Sequence, residues 1–322
     1  MPFTVVSLGG PVAPEGEAIL RAAGIVSLAT DPYPGKAELL PFLTEVQPDA
    51  LIVRLIERVD AEVMTASPKL KAVAKHGAGT NDIDVAAAAR LGIPVLAAVG
   101  ANAHSVAEHA LTLLLALVKD LPAQDAFVRG GGWEKKAYRG HEIRGRTLGI
   151  VGLGAIGSVV ARLAAAFGMT VIAYDPYIPD AAFDPYAERV SDLNALLARA
   201  DVVSLHCPLT AETRGMIDGR ALGLMKRDAL LINTARGEVV DEPALVAALK
   251  DGTIAAAGLD VFAPEPPAAA NPLWALPNVI VSPHVGGVTE EARRELSVMT
   301  CRNVVALLEG REIDGRFLVR PA

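Results

Sequence analysis

The chain has 322 residues, 52% of them hydrophobic, and sets 30 Lys and Arg against 37 Asp and Glu for a formal net charge of −7. That length predicts about two domains, and an acidic balance with no Lys/Arg-rich run speaks against nucleic acid as a partner. No apolar run reaches the about 18 residues of a membrane span, and Cys207 and Cys301 are too few for a disulfide framework, so a cytoplasmic protein with reduced thiols is expected.

Taken in order, residues 3–8 read as a strand, 15–23 as a helix closing at Gly24, and 25–28 as a second strand. A helix at 37–45, a buried strand at 50–54, a short helix at 61–66, a strand at 70–74, a helix at 83–91 and a strand at 94–96 follow. Apolar runs alternating with helices across short loops predict a parallel, doubly wound sheet. A mostly apolar helix at 105–118 comes next, placed between domains or subunits. It leads into a charged connecting arm through Arg146 that contains Trp133. A second series of strands is expected at 148–151, 170–174, 202–205, 230–232, 256–259 and 279–281, before a last amphipathic helix at 290–308 that returns to the first domain. No tail or regulatory module is expected.

The second series opens with a glycine pattern. Gly152, Gly154 and Gly157 fit G-x-G-x-x-G between the strand at 148–151 and a helix running to Gly168. Gly152 suits the tight turn, Gly154 lets a pyrophosphate approach the backbone, and Gly157 lets helix pack on strand. The helix start offers free N–H groups and partial positive charge to phosphate. Asp175 ends the next apolar run 18 residues past Gly157, close to the offset of about 20 expected for a ribose-binding acid. With strand, helix and acid all in place, the pattern predicts dinucleotide binding.

Three further segments fall at expected strand exits, where open α/β sheets bind ligands. Arg236 in Asn233-Thr234-Ala235-Arg236-Gly237 suits a planar carboxylate; alone, it reads equally as a surface salt-bridge arginine. Asp260 and Glu265 lie in a proline-rich turn of a kind common on surfaces. His284, between Pro283 and Gly286-Gly287, suits proton transfer near neutral pH. Together an arginine, a glutamate and a histidine after a dinucleotide fingerprint fit hydride transfer coupled to proton transfer at a 2-oxo acid. Metal binding has no support, because His206 and Cys207 are adjacent and lack partners at ligand spacing.

On Gly152–Gly157, His206-Cys207-Pro208-Leu209-Thr210, Asn233–Gly237, Asp260-Val261-Phe262-Ala263-Pro264-Glu265-Pro266 and Ser282-Pro283-His284, the chain resembles the D-isomer-specific 2-hydroxyacid dehydrogenase family along nearly its whole length. The resemblance implies a flavodoxin-like substrate domain made of residues 1–101 and 285–322, with a Rossmann NAD domain at 102–284. It also implies a homodimer built mainly on the NAD domains. By the same resemblance Arg236 grips the substrate, His284 moves the proton, and Glu265 bonds His284 and stabilises its charged form. Asp260 meets the nicotinamide carboxamide. Thr234 and Ala235 line the nicotinamide side, while His206, Pro208 and Thr213 border the adenosine half. Ala155, Ile156 and Gly287 complete the cofactor contacts. Asp175 holds the ribose hydroxyls and repels a 2′-phosphate, which favours NAD over NADP.

In the first domain the loop Lys75-His76-Gly77-Ala78-Gly79 follows a strand, and amides around its glycines suit an anion. The resemblance makes it the substrate loop, and Arg54 matches an arginine of phosphoglycerate-dehydrogenase-like members, with Lys75 in place of their second one. Arg54 and Lys75 are left open between a phosphate, a hydroxymethyl group and solvent. The expected substrate is a small acid such as hydroxypyruvate, glyoxylate or 3-phosphohydroxypyruvate. His109 reads as a satisfied helix histidine, and Trp133 as an interface residue. The alternatives are a phosphonate-type dehydrogenase and an NAD(H)-sensing corepressor-like binding protein. A formate dehydrogenase would carry glutamine where Glu265 stands.

Overall fold

Runs of Val, Ile, Leu and Ala too short for helices become strands, those at the centre of each sheet buried on both faces, and the stretches between them cover the sheets. The computed structural model describes residues 2–321 apart from Glu57, Ala137 and Asp184. In chain order the first elements are β1 (Thr4–Leu8), α1 (Pro14–Ala22), β2 (Val26–Ala29), α2 (Lys36–Val46), β3 (Ala50–Val53), α3 (Ala61–Thr65), β4 (Ala72–Lys75), α4 (Val85–Arg90) and β5 (Val95–Ala97). Next come α5 (Ala103–Val118), α6 (Leu121–Arg129), β6 (Thr147–Val151), α7 (Ala155–Ala166), β7 (Thr170–Tyr174), β8 (Glu188–Arg189), α8 (Leu193–Arg199) and β9 (Val202–Leu205). The remainder is α9 (Gly219–Leu224), β10 (Leu230–Asn233), α10 (Glu242–Asp251), β11 (Ala256–Leu259), β12 (Val279–Val281), α11 (Glu290–Leu308) and β13 (Leu318–Val319). Short helices are started by aspartates: Asp60 caps α3, Asp84 caps α4 and Asp218 caps α9, each accepting backbone N–H groups.

The chain forms two units, Met1–Asn102 with Val288–Ala322, and Ala103–Gly287. The first holds a six-stranded sheet in the order β13-β5-β4-β3-β1-β2. Its parallel part has the flavodoxin-like order, which reverses between β1 and β3. Leu43, Leu51, Val53 and Val73 fill one face of this sheet. Leu20, Ile52, Leu96, Cys301 and Val304 fill the other, beneath α1 and α11. α11 lies close on α1 because Gly16 has no side chain: a Cβ there would be 3.0 Å from Cys301 Sγ.

The second unit holds seven parallel strands in the order β12-β11-β10-β9-β6-β7-β8. The order reverses between β6 and β9, the Rossmann arrangement with one added strand. α5 and α7 share one core, with Leu114, Leu148, Ile150 and Val160. α8, α9 and α10 share the other, with Leu196, Leu205, Leu231 and Leu249.

Several details differ from the sequence reading, among them a seventh strand in the second sheet, the two-residue β8. The arm after α5 begins as a helix, α6, because Pro122 stands in its first turn, where it needs no N–H partner. β13 joins the first sheet antiparallel to β5, a two-residue strand too short to stand out by alternation. The second unit runs to Gly287 and not 284, because Val285 and Gly286 donate their N–H groups to Asp260.

Candidate active site

β6 ends at Val151 and α7 begins at Ala155, so the turn between them is three residues long. Gly152 sits at φ +91, and a Cβ there would fall 2.7 Å from Cys207 N at the exit of β9. Conformation and crowding both require glycine. At Gly157 a Cβ would stand 2.2 Å from Gly152 O, so glycine lets the first turn of α7 close over the loop. Gly154 is different: a Cβ there would meet nothing within 4 Å. It is the N-cap of α7 and offers no side-chain cap, and the amides of Ala155, Ile156 and Gly157 find no acceptor among the described residues. An open cradle over unpaired N–H groups at the positive end of a helix fits a pyrophosphate.

Asp175 follows β7 and is bonded to the same turn. Its Oδ2 accepts Leu153 N–H at 2.9 Å, and its Oδ1 accepts Tyr177 N–H at 3.0 Å. A carboxylate oxygen has about two acceptor sites, so each keeps room for a ribose hydroxyl. At the exit of β9, His206 Nε2 meets Ser204 Oγ at 2.8 Å while Nδ1 is buried without a partner. Burial lowers the His206 ring to about 4, so it is neutral at pH 7. Beyond β10, Thr234 Oγ1 is also buried without a partner, and Ala235 beside it is buried. These orphaned polar atoms, the open cradle and Asp175 fit a dinucleotide, which would supply their missing partners. Thr213 Oγ1 donates to Pro208 O at 2.6 Å and shapes the exposed turn after His206. Cys207, which burial pushes up to about 11, is an inert thiol.

Arg236, Glu265 and His284 come from three neighbouring exits, those of β10, β11 and β12. Asn233, which the sequence reading passed over, is buried and braces the arginine loop. Its amide donates to Arg236 O at 2.9 Å and its Oδ1 accepts Ala235 N–H at 3.0 Å. Arg236 Nη1 donates to Ala235 O at 2.6 Å. Gly237 brings this loop against the next: a Cβ there would be 2.1 Å from the Phe262 carbonyl carbon. Glu265 then accepts Phe262 N–H at 3.0 Å through Oε1, and Oε2 lies 2.7 Å from His284 Nδ1. Burial pushes the Glu265 carboxyl up. The hydrogen bonds from His284 and Phe262 and the charges of His284 and Arg236 outweigh that and leave it below its ordinary value. Because the carboxylate accepts, Nδ1 of His284 carries the hydrogen and Nε2 is the nitrogen left for a substrate.

His284 itself sits at φ +55, rare for a residue with a side chain. Its N–H donates to Asp260 O at 2.8 Å. Asp260, 2% exposed, lies beneath the loop and accepts Ser282 Oγ–H at 2.6 Å and Val285 N–H at 2.9 Å through Oδ1, and Gly286 N–H at 2.8 Å through Oδ2. Gly287 follows as the last residue of the unit.

In the first unit, Arg54 stands at the exit of β3, beside the point where the strand order reverses. Its Nη1 donates to Pro11 O. Burial and then the charge of Arg293 lower its guanidinium from the ordinary value. Lys75 ends β4 and is paired with Asp82, with both side chains largely buried. The amides of Ala78 and Gly79 find no acceptor among the described residues, while Gly77 O accepts Ala98 N–H at 2.9 Å. Among the described residues no three His, Cys, Asp or Glu are grouped to hold a metal, and no helix is long and apolar enough to cross a membrane.

A Rossmann sheet whose reversal point carries an anion-ready glycine turn and a carboxylate defines the class as dinucleotide-binding. Residues 111–286 match the family model described as D-isomer specific 2-hydroxyacid dehydrogenase, NAD binding domain. The chain is 46% identical over 277 residues to D-3-phosphoglycerate dehydrogenase of Mycobacterium tuberculosis, covering 86% of this chain and 52% of that one. It is 43% identical over 265 residues to hydroxypyruvate reductase of Thermotoga maritima, covering 82% and 85%. The crystal structure of the TT0316 protein from Thermus thermophilus matches with a TM-score of 0.85 and 38% identity over 96% of this chain and 98% of that one. The chain belongs to the D-isomer-specific 2-hydroxyacid dehydrogenase family, and residues 111–286 are its NAD-binding domain. It spans about half the length of the phosphoglycerate dehydrogenases it matches.

Proposed function

We propose that this protein interconverts a small D-2-hydroxy acid and its 2-oxo acid with NAD as the redox partner. The observation that carries the reading is the 2.7 Å contact of Glu265 with His284, two exits away in the same sheet from the loop of Arg236. NAD, when bound, supplies the acceptor or donor of the hydride. Ala155, Ile156 and Gly157 offer amides to its phosphates, and Asp175 takes a ribose diol and repels a 2′-phosphate. His206, Thr234 and Ala235 line the exits beside it. Arg236 grips the substrate carboxylate with the N–H groups that Ala235 does not use. In the oxidation direction His284 Nε2 takes the hydroxyl proton, and Glu265 balances the positive charge that forms on the ring. In reduction the imidazolium returns that proton to the carbonyl oxygen.

In the first unit, the Ala78 and Gly79 amides and Arg54 are the anion-binding groups this reading assigns to substrate. Lys75 is committed to Asp82, which favours an unphosphorylated acid such as hydroxypyruvate or glyoxylate over 3-phosphohydroxypyruvate. A homodimer through α6 and the residues after it is part of the proposal, supported by the exposed apolar side chains of Leu121, Phe127, Val128 and Trp133. The test is a panel of 2-oxo acids with NADH and NADPH, followed by absorbance of the reduced cofactor. Hydroxypyruvate and its 3-phospho form are compared side by side. Turnover of neither hydroxypyruvate nor glyoxylate would overturn the substrate assignment. A preference for the phosphorylated acid would return Lys75 to the site.

A further inference from the structure

His109 has no part in the chemistry above, yet it is joined to it by hydrogen bonds. It lies on α5 among Ala110, Leu113 and Leu114, which pack into the sheet. Its Nε2 is 2.8 Å from Ser282 Oγ and 3.4 Å from Asp260 Oδ1. Ser282 Oγ gives its one hydrogen to Asp260 Oδ1 at 2.6 Å, so toward His109 it is the acceptor. The imidazole hydrogen therefore sits on Nε2.

Asp260, which both Ser282 and His109 contact, grips the backbone around His284. Asp260 accepts the amides of Val285 and Gly286 through its side chain and that of His284 through its carbonyl. Ser105 Oγ, one turn earlier on α5, donates to Gly286 O at 2.7 Å. There is no slack in this arrangement: a Cβ on Gly286 would stand 2.9 Å from Asp260 Oδ2 and 3.2 Å from His109 Cδ2. What the grip maintains is the left-handed backbone of His284 at φ +55. A non-glycine residue persists there only when its surroundings over-determine it. A histidine kept only to fill the apolar face of α5 would need no bond to Ser282.

We propose that His109 and Ser282 are positioning residues. Through Asp260 they hold the 284–286 backbone so that His284 keeps Nδ1 on Glu265 and presents Nε2 to the substrate. This rests on the reading of His284 as the proton-transfer group.

The test uses Ser282→Ala, Ser282→Thr and His109→Leu, each alone and combined with His284→Asn. Turnover is measured with NADH and whichever of hydroxypyruvate and glyoxylate the wild type reduces faster, and NADH affinity by fluorescence. Misplacing a proton donor by a fraction of an ångström predicts a kcat loss of about 10- to 100-fold in Ser282→Ala and His109→Leu, with NADH affinity held within about threefold. Ser282→Thr, which keeps the hydroxyl, is expected to restore kcat. On the His284→Asn background the same changes should cost nothing further, because the group they position is gone. Wild-type kcat in Ser282→Ala and His109→Leu beside a crippled His284→Asn would overturn the positioning role alone. So would losses that multiply with His284→Asn, or that track a matching loss of NADH affinity. Wild-type kcat in His284→Asn would overturn the acid–base reading and this inference with it.

Discussion

Glu265 Oε2 lies 2.7 Å from His284 Nδ1, and Oε1 of the same carboxylate is fixed by Phe262 N–H at 3.0 Å. The carboxylate both orients the ring and balances its charge. Glu265→Gln keeps an acceptor in place but removes that balance. Reduction of a 2-oxo acid, which begins from the imidazolium, is expected to slow by about 10²-fold, the scale of general acid catalysis, with KM for NADH unchanged. Equal kcat in wild type and variant would remove the pair from the mechanism. The pH sign follows from the depressed Glu265 carboxyl. A folded-state value below the unfolded one contributes stability above the unfolded value, and that contribution is lost as pH falls through the folded one. The wild type should therefore lose more stability than Glu265→Gln on the acid side of the ordinary carboxylate range, as read by thermal melts.

Asp175 is held to the glycine turn by Leu153 N–H at 2.9 Å, so its charge is fixed where the second ribose hydroxyl of an adenosine would lie on this reading. Asp175→Ala removes a charged hydrogen bond to cofactor, worth about 1.5–3 kcal/mol, or roughly 10- to 100-fold in NADH affinity. NADPH, no longer repelled, should lose less or gain. Affinities for both cofactors by fluorescence titration check this. An unchanged NADH-to-NADPH ratio would take Asp175 out of the discrimination.

Much of this could be read from residue order, because the relevant physics is local. Apolar runs of four or five residues bounded by short loops and helices read as buried parallel strands, and Gly152 and Gly157 marked a turn that has no room for side chains there. The pairing of Glu265 with His284 is implied by the family resemblance, and the two residues lie 2.7 Å apart. What could not be read was long range. Nothing near His109 in the sequence points to Ser282, 173 positions away, and nothing in Ser282-Pro283-His284 predicts a histidine at φ +55. The sequence leaves Lys75 open between a phosphate, a hydroxymethyl group and solvent, and the fold sets Asp82 against it. The helix after Asp120 was hidden by its own surface, since none of its residues is buried and its apolar side chains face outward.

Two glycines of the fingerprint should fail in opposite ways. Gly157→Ala places a Cβ 2.2 Å from Gly152 O, a backbone atom that cannot swing aside. Overpacking of this kind costs about 1–3 kcal/mol, so Tm should fall even without cofactor. Gly154→Ala meets nothing within 4 Å and should leave the Tm of the free protein unchanged. The added methyl would instead stand where the cradle opens, and NADH affinity should fall. Thermal melts with and without NADH separate the two. A destabilised free Gly154→Ala, or one that binds NADH as the wild type does, would contradict the cradle.

His76 offers a pH test in the first unit. Burial, and then the charge of Arg54, lower its ring to about 3. Ser297 Oγ accepts Ala13 N–H at 2.9 Å and meets His76 Nε2 at 2.8 Å. Either atom can supply the hydrogen of that second bond, and what disfavours a proton on the ring is its burial and the positive charge of Arg54. The ordinary histidine value is 6.5, so the unfolded chain takes up the proton first. Stability is complete above 6.5 and is lost progressively as pH falls from 6.5 toward 3. Between pH 7 and pH 5 the loss from this one ring is about 1–2 kcal/mol after allowance for partial solvation. His76→Gln keeps a hydrogen-bonding group for Ser297 without the titration. Its Tm is expected to fall less than that of the wild type when the buffer is taken from pH 7.5 to pH 5. Parallel falls in the two proteins would show that the ring takes up its proton in the folded protein over the same pH range as in the unfolded chain.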